Sequence, residues 1–239
     1  MMALANLERI HARVQLVRGK GERRRGRLCI MSFVALLAGE RHTDAPTTAS
    51  PFIRQFAIYL NDTMPEAERQ RLKLLAPRII GTNDGLDGDR VRLVQRIFTD
   101  EIVPRLRDDR AENWLPRWLG SDWTAYSKGA ARSPQEFIFE FVNGVGRGAD
   151  IHARNKIAVV AAKALVMYAT SATPIAKRSW YWGKSIDLLD RLCDVGAAGS
   201  KPPVGPDRIA RAEFVLGQTG PFAALTLLMS EALPMFNSG

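Results

Sequence analysis

The sequence predicts an all-α fold, an irregular multi-helix bundle with a basic N-terminal helix and arm. Apolar side chains recur mainly at the i, i+3, i+4 spacing of a helix face, and no run alternates as a strand does. Helix-start signals agree with this, the clearest being Ser50-Pro51 and Ser133-Pro134. A hydrophobic content of 46% in 239 residues excludes a wholly disordered chain. We expect three parts, which are residues 1–27, 28–196 and 197–239.

The N-terminal part begins with an amphipathic helix. Its apolar face is formed by Leu4, Leu7, Ile10, Val14 and Val17. Gly19 and Gly21 end this helix, because glycine is a poor helix former. We interpret the following residues 20–27 as a polar, flexible connector.

The main part is predicted to consist of helices joined by turn-rich loops. The first helix spans Leu28 to Ala38 and ends at Gly39, and the second begins at Ser50-Pro51 and stops near Asn61-Asp62. Pro104 kinks or ends a long helix over 89–107. Other helices are expected from 63, from 133, from 150 and over 177–195. A linker over 197–206 and two shorter helices, 207–216 and 221–233, close the chain.

Positive charge is concentrated at the N-terminus. The net charge is +9, and residues 1–28 alone hold eight Lys or Arg against two acids, a net charge of +6. A basic segment on a nearly neutral body suits a polyanion, either nucleic acid or an anionic membrane surface, but it is equally typical of a solubilising terminus. The candidate phosphate-contacting side chains are Arg18, Lys20, Arg23, Arg24, Arg25 and Arg27.

A second candidate for nucleic-acid contact lies in the stretch 177–184, where cations and aromatic rings are interleaved. Aromatic rings stack on bases while cations pair with phosphates. The alternative is a helix whose tryptophans cover its neighbours while its cations reach solvent. The side chains concerned are Lys177, Arg178, Trp180 and Lys184.

A polar loop follows the helix that ends at Gly39. Glu40, His42 and Asp44 place a histidine beside carboxylates, a combination that ligates metals or acts as a general base. Further polar side chains that would complete a pocket, if the fold brought them together, are Asn61 and Asp62. The alternative is structural. Thr43 and Asp44 would cap the loop, His42 would make an ordinary hydrogen bond, and Asn61-Asp62 would cap a helix end or turn.

The stretch around this loop resembles a group of uncharacterised, largely actinobacterial proteins. The shared pattern is C-x-M, then LAGE-x-H-[S/T]-D-x-P, SP, ND and PR-x-x-GT, and it matches this chain over residues 28–84. The resemblance implies a shared helical fold. It implies no mechanism, because the group has no assigned activity.

The sequence predicts no dinucleotide site, no known metal-binding motif and no membrane-spanning helix. The G-x-G-x-x-A stretch at 144–149 lacks the preceding strand and the later acid of a dinucleotide site, and the i, i+2 spacing of the polar loop is not a known metal signature. The apolar stretches 157–176 and 221–236 contain charges or proline, so we interpret them as buried helices. Cys29 and Cys193 are expected to be packed thiols of a cytoplasmic protein without a signal peptide.

Three functional hypotheses follow from the sequence. The first is a non-enzymatic binding or assembly protein that engages nucleic acid, or a protein partner, through its basic arm. The second is a helical metal-binding protein or enzyme that uses Glu40, His42 and Asp44. The third is a structural subunit of a larger complex, indicated by the apolar tail Phe222–Phe236.

Overall fold

A computed structural model of the chain describes residues 2–108, 151–171, 175–197 and 204–217. The predicted helical fold class is confirmed. The helices are α1 (Met2–Arg13), α2 (Ile30–Ala38), α3 (Pro51–Thr63), α4 (Glu66–Arg71), α5 (Ala76–Ile79), α6 (Asp87–Ile97), α7 (Val103–Asp108), α8 (Ile151–Ser171), α9 (Ile175–Asp194) and α10 (Pro206–Gly217). The sequence features at 133–142, 144–149 and 221–236 lie outside the described residues.

Local signals set the start of α3 and the end of α2 as predicted, whereas α2 begins at Ile30 and not at the predicted Leu28. Ser50 caps α3, because its hydroxyl accepts a hydrogen bond from the backbone N–H of Ile53, and Pro51 is the first helical residue. The Cys29 thiol caps α2 in the same way, accepting from the N–H of Ser32. Gly39 ends α2 with a left-handed backbone.

The interpretation of residues 20–27 as a flexible connector is wrong. Three two-residue strands, β1 (Gln15–Leu16), β2 (Gly21–Glu22) and β3 (Arg27–Leu28), form a sheet in the order β1-β3-β2. β3 pairs parallel with β1 and antiparallel with β2. The Leu16 and Leu28 side chains are fully buried, so this small sheet is attached to the core through one leucine on each of two paired strands.

Glycines make the sharp turns of this sheet possible. Gly21 and Gly26 have positive φ angles of 75° and 65°, in the left-handed region that glycine tolerates best. A Cβ on Gly21 would clash with the carbonyl oxygen of Arg27, and a Cβ on Gly26 with that of Arg13. Between these glycines lies a 3₁₀ turn, Arg23–Arg25.

A single buried cluster joins the N-terminal helix, the central helices and α10. Its members include Ile10 of α1, Phe33 of α2, Phe56 of α3, Leu165 of α8 and Ile209 of α10. α8 packs against both α3 and α9, and α1 packs against α10. The N-terminal part of the chain, which carries the basic residues, therefore packs on the same core as the central helices. Within the part of the chain that the structure describes, no helix has the length and apolarity needed to cross a membrane.

The long helix predicted over 89–107 continues past Pro104. α6 and α7 are joined by a π-helical segment, Phe98–Ile102, in which the N–H of Val103 donates to the Phe98 carbonyl five residues earlier. Proline lacks an N–H and crowds the carbonyl of the preceding α-helical turn. The wider π turn accommodates Pro104 without ending the helix.

Arg90 of α6 is the largest fully buried side chain among the described residues. Its Nη1 lies 2.7 Å from Oδ1 of Asp84 and 2.9 Å from Oδ1 of Asp87, and its Nη2 lies 2.8 Å from Oδ2 of Asp84. Its Nε and Nη2 also donate to the carbonyls of Leu192 and Val195, at the end of α9, at 3.2 and 3.3 Å. Burial alone would raise the pKa of Asp84, but Arg90 outweighs it and holds that pKa below its ordinary value.

We expect Arg90→Ala to lower the free energy of unfolding by about 3–5 kcal/mol, because it leaves two partly buried carboxylates without their counter-charge. Arg92→Ala is the matched control on the same helix. Arg92 is exposed and pairs with Asp89 at the surface, so its loss should cost less than about 1 kcal/mol. Urea unfolding of both variants measures the difference, and equal losses would contradict a special role for Arg90.

Candidate anion-binding surface

Most cations of residues 18–27, here called the basic segment, face solvent. Arg18, Lys20, Arg24, Arg25 and Arg27 are exposed. Arg23 is only partly exposed, and its Nη2 donates to the backbone carbonyl of residue 40 at 2.8 Å. The structure thus keeps five of the six predicted cations available on one short stretch.

The predicted pocket residues Asn61 and Asp62 hold the basic segment on α3. The buried Asn61 amide donates to the Val17 carbonyl at 2.8 Å, and its oxygen accepts from the N–H of Ile30 at 3.1 Å. Oδ1 of Asp62 accepts from the N–H of Gly19 at 2.9 Å. These side chains therefore join the backbone on both sides of the segment to one helix. Their role is structural, but they bond to distant backbone groups and do not cap their own helix end or a turn, as the alternative predicted.

Side chains also cover the outer edges of the small sheet. The Gln70 amide pairs with Leu16 of β1 as a neighbouring strand would, accepting from its N–H at 3.0 Å and donating to its carbonyl at 2.9 Å. On the other edge, Nε2 of His42 lies 3.3 Å from the carbonyl oxygen of Gly21 in β2. Exposed strand edges invite pairing with other chains, and these contacts satisfy the backbone groups instead. No local sequence pattern indicates this role of Gln70.

The loop with Glu40, His42 and Asp44 is organised by backbone capping. The Glu40 carboxylate accepts from the N–H groups of Thr47 at 2.8 Å and Thr48 at 3.1 Å. Asp44 is exposed. Among the described residues, no group of three or more His, Cys, Asp or Glu side chains is arranged to hold a metal. The loop therefore closes on itself and on β2.

The surroundings of His42 favour its neutral form. Burial lowers its pKa from 6.5, the positive charges of Arg23 and Lys20 lower it further, and the Gly21 carbonyl and Asp44 oppose this only partly. Its Nδ1 atom is buried and has no hydrogen-bond partner in the structure. Burial and Lys73 likewise lower the pKa of His11.

In the second predicted cluster, on α9, Lys184 and Trp180 already form contacts with other side chains of the protein. Nζ of Lys184 pairs with Glu101 and, at 2.6 Å, with Asp187. The Trp180 ring has the Arg105 guanidinium over it, with Cζ 5.3 Å from the ring centroid. The remaining members, both partly exposed on the same helix, are Lys177 and Arg178. A phosphate would have to displace two carboxylates to reach Lys184, so this cluster is the weaker candidate.

A basic groove that was not predicted from the sequence lies between α1, the 3₁₀ turn and α10. The groove has a volume of about 310 Å³ and is lined by Arg13, Arg24, Arg25, Gly26, Leu216 and Gly217. An ion pair between Arg9 Nε and Glu213 Oε1, at 3.0 Å, connects α1 to α10. Since the two walls are about 200 residues apart in the chain, no local pattern could have revealed the groove.

No protein-family model matches the chain, and no curated protein or solved structure is significantly similar to it. The resemblance of residues 28–84 to the bacterial group therefore stays a prediction.

We expect Asn61→Ala to lower the free energy of unfolding by about 2–4 kcal/mol. It leaves the buried N–H of Ile30 without a partner, at about 1–3 kcal/mol, and the partly buried carbonyl of Val17 at a smaller cost. Asn83→Ala is the matched control, since the Asn83 amide donates to the Thr47 carbonyl at 2.9 Å on an exposed loop. Urea unfolding gives the loss in each variant. Faster amide exchange over residues 15–28 in Asn61→Ala alone would localise the effect, and unchanged exchange there would contradict it.

We expect the free energy of unfolding to fall as the pH is lowered from about 7.5 through 6.5 to the depressed pKa values of His11 and His42. In this window the unfolded chain binds protons that the folded chain does not, so stability is full above pH 6.5 and declines below it. His42→Gln should flatten this dependence, as urea unfolding at stepped pH would show. His152→Gln, at an exposed position of α8, is the control, and identical profiles for all three proteins would contradict the assignment to His42.

Proposed function

We propose that this chain is a non-enzymatic helical binding protein that engages nucleic acid through its basic segment. The observation that carries the proposal is the exposure of Arg18, Lys20, Arg24, Arg25 and Arg27 on one short folded stretch. Exposed cations at such density attract the phosphate backbone and release its condensed counterions. A cytoplasmic location belongs to the same proposal.

The charge of the basic segment is little reduced by its own acid. Arg25 Nε lies 3.3 Å from a carboxylate oxygen of Glu22, but both side chains are more than half exposed, at 71% and 55%. An ion pair this exposed is weak and exchanges readily for a phosphate. The segment therefore presents a net positive surface.

The other two hypotheses receive less support. The Glu40 carboxylate already serves two backbone N–H groups, which leaves the polar loop without a convergent set of ligands among the described residues. The apolar tail that indicated a larger complex, Phe222–Phe236, lies outside the described residues. Absence of salt-dependent DNA binding would therefore favour a protein partner.

We expect the triple variant Arg18→Gln/Lys20→Gln/Arg27→Gln to bind duplex DNA of mixed sequence more weakly and with less dependence on salt. The slope of log Kobs against log salt concentration should become less negative by about 2.7, because each lost phosphate contact contributes about 0.9. Fluorescence anisotropy across a salt series measures the slope in the full-length protein.

The matched control is Arg71→Gln/Arg96→Gln/Lys156→Gln, which removes the same charge from exposed positions on α4, α6 and α8. Its slope should stay near that of the unmodified protein. Equal changes in both triple variants, or no salt-dependent binding by the unmodified protein, would refute the proposal and direct the search to protein partners. Tighter binding to anionic vesicles than to DNA would identify a membrane surface instead.

A further inference from the structure

We propose that the groove between α1, the 3₁₀ turn and α10 is a seat for a single dianionic phosphate group. The phosphate is either free or the terminal monoester of a nucleic-acid strand, and the second case rests on the proposed function. Two observations carry this inference. Three arginines line one groove, and among the described residues a Cβ on Gly217 would meet only one of them, Arg13.

Three arginines from two elements line the groove. Arg13 comes from the last turn of α1, and Arg24 and Arg25 come from the 3₁₀ turn. Guanidinium groups bind phosphate oxygens through two parallel N–H donors, which is the geometry that favours arginine over lysine at such sites. A groove of about 310 Å³ is large enough for a phosphate together with part of the group that carries it.

Neither capping of the C-terminus of α1 nor ion pairing with carboxylates requires three arginines at this groove. Helix ends attract cations because their carbonyls carry about half a negative charge. At the end of α1 this is already met by Lys73, whose Nζ donates to the carbonyls of His11 and Val14 at 3.1 and 3.0 Å. Within the described residues, no ion pair joins Arg13 or Arg24 to a carboxylate. Arg25 pairs with Glu22 at 3.3 Å, but both side chains are exposed, so this pair exchanges readily for a phosphate.

The α10 side of the groove ends in a glycine. Among the described residues, a Cβ on Gly217 would meet only Nη1 of Arg13, at 3.9 Å, which is an ordinary contact. A longer side chain at this position would therefore reach the Arg13 guanidinium without disturbing the backbone. On the opposite wall, Gly26 brings the chain close to Leu216, whose Cδ2 lies 4.0 Å from the position of a Gly26 Cβ.

The test is a substitution that places a competing carboxylate in the seat. Gly217→Glu should weaken binding of inorganic phosphate by about tenfold or more, because its carboxylate pairs with Arg13 in place of the ligand. Arg24→Gln, at an exposed position of the 3₁₀ turn, should weaken it similarly. Ala210→Glu is the matched control, since it adds the same charge at an exposed position of the same helix away from the groove. Isothermal titration calorimetry on the full chain measures phosphate binding, and urea unfolding checks that each variant is folded.

Two oligonucleotides distinguish the sources of the phosphate. Preference for a terminally phosphorylated strand over its hydroxyl counterpart, lost in Gly217→Glu, would assign the seat to strand ends, whereas binding of inorganic phosphate without that preference would assign it to free phosphate. No saturable phosphate binding, or equal binding by Gly217→Glu and Ala210→Glu, would overturn the proposal. DNA affinity that depends on Arg18, Lys20 and Arg27 in the same preparations would then leave the proposed function standing.

Discussion

The buried guanidinium of Arg90 is the interaction on which the arrangement of the central helices depends. It bonds to Asp84 and Asp87 at the start of α6 and to the last carbonyls of α9. Asp87 also accepts from the hydroxyl of Ser50, at 2.5 Å, and that same hydroxyl caps α3. A buried charge is tolerated only when it is fully paired, so the positions of α3, α6 and α9 are linked through one side chain.

At the N-terminus, too, side-chain hydrogen bonds from the helices link separate parts of the chain, here through uncharged side chains. Strands of two residues cannot form a stable sheet alone, because they contribute too few backbone hydrogen bonds to offset their ordering. Side chains of the helices supply what is missing, above all Asn61 of α3 and Gln70 of α4. The basic segment is consequently ordered by the helical body. Its conformation should be lost when α3 and α4 are disturbed, even though none of its own residues changes.

Local chemistry decided which parts of this structure could be predicted from the sequence. Ser50-Pro51 and Gly39 act on their own backbone, so the start of α3 and the end of α2 followed from residue type. The small sheet did not, since its hydrophobic signal is one leucine in each of two strands and its register depends on glycines with positive φ. The exposed cations of the site were foreseen by charge density. The groove was not, because Arg13 and Gly217 meet only after α10 packs along α1.

Order in the basic segment changes what its charges can do. A flexible arm would lose backbone entropy of about 1–2 kcal/mol per residue on binding, and this loss would offset much of the electrostatic attraction. In a segment that is already folded, the ordering is completed before any ligand arrives, so the attraction is retained as affinity. Fixed cations also have fixed spacing, which favours phosphate arrangements that match them. Charge density alone would bind any polyanion. The hydrogen bonds that Asn61, Asp62 and Gln70 form with the backbone of residues 16–19 fix the spacing that geometric selection requires.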